Sequence, residues 1–168
     1  MTQRRPIRVE DGDLAIRSVR WEDCENLYQW RMSDRNRRMF RDTTLVPYRA
    51  HEDFVRAYLQ GDAPDVWFVI ECAGVPVGST ALYGFSSGGG ECQSGRTIIA
   101  ADHQRRGYAV RAIRLVFQYA KTAGVKTVRT MVAADNPASL GLARSLGYVK
   151  TEDSVHEGRL FTTFRVVL

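Results

Sequence analysis

Along the chain, apolar residues recur with a period of two in some stretches and near 3.6 in others, which divides the sequence into strands and helices. Residues 1–13 predict a loose N-terminal tail, and residues 14–19 (LAIRSV) a first strand. Residues 21–33 predict a helix, with Glu22 and Asp23 suited to its N-terminal dipole. Pro47 precedes a second helix that carries His51, Phe54, Val55, Tyr58 and Leu59 on one face and ends at Gly61-Asp62. Residues 66–72 and 75–85 predict a hairpin turned by Ala73-Gly74; residues 91–101 predict a further strand beyond the loop SSGGG. The clearest helix follows, with Ala109, Ala112, Ile113, Val116, Phe117 and Ala120 on its apolar side and Arg111, Arg114, Gln118 and Lys121 opposite. Gly124 ends it, and residues 127–133 are β-rich. Asn136 is placed as an N-cap and Pro137 as the first residue of a helix that Gly147 closes. Residues 148–151 and 160–168 predict two last strands. Hairpins first and a βαβ unit afterwards imply one α/β (α+β) domain, a mixed sheet with helices on both faces.

Composition narrows the class. Hydrophobic residues make up 44% of the chain, enough for a core, yet no apolar run is long enough for a membrane span. The N-terminus, MTQRRPIRVEDGD, lacks the apolar stretch of a secretory signal, so a cytoplasmic protein with no membrane partner is expected. Cys24, Cys72 and Cys92 show no CxxC spacing, and His51, His103 and His156 lie far apart, so neither a disulfide framework nor a metal site is expected. The formal net charge of +5 is carried almost wholly by arginine, since lysine occurs only at 121, 126 and 150. Guanidinium groups suit bidentate contacts to phosphate and carboxylate, which points to an anionic ligand, a nucleotide or a nucleic acid.

The stretch QRRGYA at residues 104–109 lies where a strand hands over to the clearest helix. Such a junction leaves backbone N–H groups free at the helix start, where the dipole adds positive potential. Gly107 allows close approach of a ligand to the backbone, Ala109 leaves the next turn uncrowded, and Arg105 and Arg106 can add charge-assisted bonds. There is no GxxxxGK[ST] and no GxGxxG after the first strand, which excludes a P-loop and a dinucleotide fold.

QRRGYA, an amphipathic helix, a strand and then NPASLGLARSLGY follow one another within about 50 residues. In this the chain resembles the GNAT superfamily of acyl-CoA N-acyltransferases, through the pyrophosphate loop Q/R-x-x-G-x-G/A and the segment N-x-x-[AS]-x-x-L-x-x-x-x-G-[FY]. The resemblance covers residues 14–168, its specific part residues 95–150. It implies a sheet of roughly seven strands that splays at its centre, and acetyl-CoA as acyl donor without a metal. The pantetheine arm would lie along Ile99, Ala100 and Ala101, and Gln104, Arg105, Arg106, Gly107, Tyr108, Ala109 and Val110 would cradle the pyrophosphate. Asn136 and Ser139 would face the pantetheine and thioester, and Arg144 is a further cofactor candidate.

Acetyl transfer to an amine needs a neutral amine, a stabilised oxyanion and a leaving thiolate. Glu91, at the start of a central strand, is the candidate base, with Glu152 and Glu157 as lesser ones. Many members of the resembled family carry a tyrosine seven residues after the asparagine; here that position is Ala143, so Ser139 or Tyr148 is the candidate proton donor, or the thiolate leaves unaided. Trp30, Arg31, Arg37, Arg38, His51 and Tyr83 are candidate acceptor contacts. Their pattern resembles the branch of ribosomal-protein and nucleotide-linked amino-sugar N-acetyltransferases. The expected acceptor is a small-molecule amine, in particular a nucleotide-linked amino sugar. Two alternatives stay open: a protein N-terminal acetyltransferase of the ribosomal-protein type, and a non-catalytic RNA- or ribosome-associated module. Nucleic acid is not the expected partner, and a homodimer is compatible with the pattern.

Overall fold

The computed structural model describes residues 5–61 and 64–168, so Asp62 of the expected helix stop lies outside the described residues. Eight strands form one sheet: β1 (Arg8–Asp11), β2 (Leu14–Ser18), β3 (Val66–Cys72), β4 (Val75–Tyr83), β5 (Glu91–Ile99), β6 (Thr127–Ala133), β7 (Val149–His156) and β8 (Arg159–Val167). Their order across the sheet is β1-β2-β3-β4-β5-β6-β8-β7. The expectation was roughly seven. The additional strand is β1, which pairs antiparallel with β2 inside the stretch expected as a loose tail. The helices are α1 (Cys24–Met32), α2 (Asp34–Arg37), α3 (Tyr48–Gln60), α4 (Tyr108–Thr122) and α5 (Pro137–Ser145).

Alternation along the strands decides which helix covers which face. Phe68 and Ile70 of β3 join Leu14, Ile16, Leu115 and Val116 in the main core under α4. Val69, between them, points the other way, into a smaller cluster with Val19 and Leu27 of α1. Helices therefore cover both faces, as the order of hairpins and a βαβ unit implied.

On the α1 face, β2 carries a buried charge. Arg17 is 6% exposed and pairs with the sequence-adjacent turn and the neighbouring strand at once: Nη1 and Nη2 donate to Asp23 at 2.7 and 2.8 Å, and Nε donates to Glu71 at 2.6 Å. Asp23 also accepts the Arg20 N–H at 2.7 Å, which tightens a 3-10 turn (Trp21–Asp23) ahead of α1 where an unbroken helix was expected.

All neighbouring pairs are antiparallel except β5 and β6, which run parallel. That parallel ladder joins only Glu91, Cys92 and Gln93 to Thr127, Val128 and Arg129. Beyond it the two central strands part, toward the end where β5 meets α4. Strand β5 stops at Ile99; Ala101, expected within it, belongs to a 3-10 turn (Ala101–His103) that bends the chain toward the helix.

Candidate active site

The gap between the parted strands opens a cavity of about 690 Å³. One wall is β5 from Gln93 to Ile98, the facing wall is β6 from Thr130 to Ala133, and α5 closes one end with Asn136, Ser139 and Ala143. The residues 39–42 and His51 close the other.

At the head of α4, QRRGYA forms the turn from strand to helix. Gly107 sits at the helix N-cap in the left-handed region (φ +76°), and open space surrounds the position a Cβ would take there. Arg105 is left-handed too (φ +61°). Among the described residues, the N–H groups from Arg105 to Val110 have no backbone acceptor; intrahelical bonding starts with Arg111 N–H to the Gly107 carbonyl at 3.2 Å. Gln104 holds the turn by donating to the Ile99 carbonyl at 3.0 Å, and Arg106 donates to the Asp102 carbonyl at 3.1 Å. The Tyr108 ring is half-buried and packs against the core. Bare amides, a helix dipole and flanking guanidinia fit a diphosphate such as that of acetyl-CoA. Ile99, Ala100 and Ala101 form the ramp from the cavity wall, which ends at Ile98, to this cradle. Arg144 is exposed on the last turn of α5, outside the cavity wall.

Asn136 caps α5 as its sequence position predicts: Oδ1 accepts the Ser139 N–H at 3.1 Å, with Pro137 in the first turn. Ser139 itself lines the cavity. Tyr148 also lines the cavity, 8% exposed, against the Phe117 ring. Burial pushes its phenol well up, against a hydrogen bond with Ser94, so it stays protonated. Ala143 is buried in the wall, so its position on α5 carries no phenol.

The expected base needs correction. Glu91 stands at the closed, hydrogen-bonded end of β5 and is not part of the cavity wall. Its carboxylate is 3.0 Å from Arg129 and 3.5 Å from Arg165, so it neutralises two guanidinia. Glu152 and Glu157, on the outer hairpin, are likewise outside the wall. Asp42 is the one carboxylate that lines the cavity among the described residues, and its bond from Thr44 N–H holds it below the ordinary range.

Three expected acceptor contacts are also relocated. Trp30 packs on the minor core with Tyr58 and Trp67. Arg37 turns back to Asp34 at 3.0 Å and to the Thr43 carbonyl at 2.7 Å. The Arg38 side chain is exposed, and its carbonyl receives Arg159 at 2.9 Å. Arg31, His51 and Tyr83 do line the cavity. They are joined by Arg41, from the basic cluster at residues 35–41, and by Arg96, which the sequence pattern did not single out. Arg96 lies at a bulge in β5 (φ +54°), where the register against β4 shifts between Ser79 and Ala81. The guanidinium sits 4.7 Å over the Tyr83 ring. A glycine inside a strand, here Gly95, was the available signal for such a bulge.

His51 is buried, and its Nε2 lies 3.0 Å from the Cys24 carbonyl. A carbonyl only accepts, so Nε2 carries the hydrogen and Nδ1 the lone pair. Burial lowers its affinity for a proton. The unfolded chain therefore binds more protons at this group, and stability declines as pH falls below about 6.5, the ordinary histidine value. Denaturation midpoints measured from pH 7.5 to 5 should fall for the native chain and stay flatter for His51→Gln.

A family model of the acetyltransferase (GNAT) domain matches residues 13–149. No curated protein matches the sequence. Among solved structures, the chain is similar to the spermidine N-acetyltransferase of Vibrio cholerae in complex with CoA and spermine, with a TM-score of 0.85 and 18% identity over 94% of this chain and 96% of that one. It is similar to RimL, a ribosomal L7/L12 alpha-N-protein acetyltransferase, with a TM-score of 0.81 and 12% identity over 97% and 95%. A GNAT-family acetyltransferase from Bacillus anthracis gives a TM-score of 0.82 and 13% identity over 96% and 98%. With the sheet parted at its one parallel ladder, the amide cradle at the head of α4 and the capped Asn136 helix, the match of the domain model to most of the sequence establishes that the chain belongs to the GNAT acetyltransferase family.

Proposed function

We propose that the protein transfers an acetyl group from acetyl-CoA to the primary amine of a small molecule, an amino sugar or nucleotide-linked amino sugar, by direct attack in a ternary complex. One observation supports this: the strand that walls the cavity as far as Ile98 leads within a few residues to a run of unpaired amides suited to a diphosphate. The residues 104–110 hold the donor, whose thioester supplies the activated acyl group. Arg96 and Thr97 fall outside the β4 ladder, so their bulge offers N–H groups to the developing oxyanion. The Ser139 hydroxyl and the protonated Tyr148 phenol serve the leaving sulfur. The acceptor enters between residues 39–42, His51 and Tyr83.

Three guanidinia in that wall, Arg31, Arg41 and Arg96, face a single carboxylate, Asp42, which disfavours a polycation such as the spermine of the Vibrio cholerae complex. The deciding experiment follows thiol release from acetyl-CoA with amino sugars, UDP- and dTDP-linked amino sugars, polyamines and peptides. Turnover with a sugar amine is expected. Turnover confined to peptide N-termini would replace this acceptor class by a protein substrate.

A further inference from the structure

Buried donors need acceptors, and two residues of this cavity's wall each carry a donor without one. Nη1 of Arg31 and Nε1 of Trp67 are both shielded from solvent and have no hydrogen-bond partner among the described residues, and both residues line the cavity. Native structures leave few such groups, and those that remain ask for an explanation. The rest of Arg31 is firmly placed. Its Nη2 donates to the Asp42 carbonyl at 2.7 Å, and the guanidinium lies 3.9 Å over the Phe40 ring. The group is thus oriented by a neutral carbonyl and an aromatic face, with no carboxylate bonded to it. Burial works against its charge, and so do Arg37 and Arg96 nearby, with Asp42 as the only opposing influence. Arg41 and Arg96 stand in the same wall, both close enough to the Tyr83 phenol to act on it. An unpaired, desolvated guanidinium among like charges is costly unless something negative joins it.

We propose that Arg31, flanked by Arg41 and Arg96, binds an anionic group of the acceptor, a carboxylate or a phosphate, and so selects which amine is acetylated. This rests on the assignment of the cavity as acceptor site. The Arg31 guanidinium, set in the cavity wall beside Arg41 and Arg96, suits charge-assisted bonds to the oxygens of such a group. The acceptor is then an amine with an acidic substituent, such as an amino-sugar phosphate, a nucleotide-linked amino sugar or an amino acid.

The test uses the full chain saturated with coenzyme A, which occupies the cradle at α4 and leaves the acceptor pocket as the anion site. Inorganic phosphate and acetate are titrated separately, with binding followed by calorimetry. At least one should bind, and Arg31→Met should weaken it by about tenfold to a hundredfold, the loss of one charge-assisted bond. Arg31→Lys should recover only part of this. Phosphate alone bound would indicate a phosphorylated acceptor, acetate alone a carboxylate. Kinetics with matched pairs, glucosamine against glucosamine 6-phosphate and an amino-acid amide against the free acid, should show the anionic member favoured by the native chain and the preference lost in Arg31→Met. No binding of either ion, or equal binding by native chain and variant, would overturn the anion pocket. Failure of coenzyme A itself to bind would instead overturn the donor site.

Discussion

Gly107→Glu is expected to abolish acetyl-CoA binding while the fold survives. The cradle works by presenting bare N–H groups and the positive end of α4 to an anion, and a glutamate there places a carboxylate in the same field. Two effects must be separated, because Gly107 is left-handed (φ +76°) and every L residue is strained there. That strain costs about 1–2 kcal/mol. Gly107→Ala incurs it without the charge, and nothing lies within 4 Å of its Cβ. The alanine variant should therefore lose modest stability and keep coenzyme affinity within about tenfold, whereas the glutamate variant should lose at least about a hundredfold, near 2.7 kcal/mol. Calorimetric titration with coenzyme A checks both. Equal affinity in Gly107→Glu and the native chain would remove the cradle as the diphosphate site.

Arg17→Met should be the most destabilising single change on the α1 face. It strands two carboxylates, Asp23 and Glu71, in a buried site that Arg17 now neutralises by three hydrogen bonds. Breaking a buried pair from one side costs about 3–5 kcal/mol. In a domain of this size that lowers the melting temperature by about 6–20 °C. The pH dependence identifies the cause. Burial alone would push the Glu71 carboxyl up, but Arg8 and Arg17 together hold it below its ordinary value. In the native chain this contributes stability above about pH 4.3 that is lost as pH falls through the lowered value. The variant keeps only Arg8, at 2.8 Å, so its deficit should be largest at neutral pH and narrow on acidification. A deficit independent of pH would mean that lost packing, not stranded charge, is responsible.

The features legible in the sequence are those fixed by neighbours three or four residues apart. Asn136 capping Ser139 is one such relation, and the first bond of α4, from Arg111 N–H to the Gly107 carbonyl, is another. Both segments were found from residue types at fixed spacing. Features set by register were not legible. Glu91 begins the expected strand, but only the pairing of Glu91 to Gln93 with β6 shows that this end is the closed one. Arg96 reaches the cavity because of a register shift against β4. Among the arginines near residues 31–41, the helical period could not show that Arg37 returns to Asp34 while Arg31 lines the cavity, since the chain leaves α1 at Ser33 and starts again as α2. Tail residues 8–11 found a partner in β2 that polar composition gave no reason to expect.

The parting of β5 from β6 places two raw sheet edges in the middle of the molecule instead of at its rim. At a rim, such rows of peptide groups would recruit strands from other chains and aggregate. Here the two edges form facing walls of one cavity, with α5 and the segment at residues 39–42 beside them. What can thread through is a slender chain bearing its own amides, which would knit the two half-sheets together while it stays. The same opening that makes room for chemistry thus doubles as a filter on shape, admitting a filament and refusing a surface.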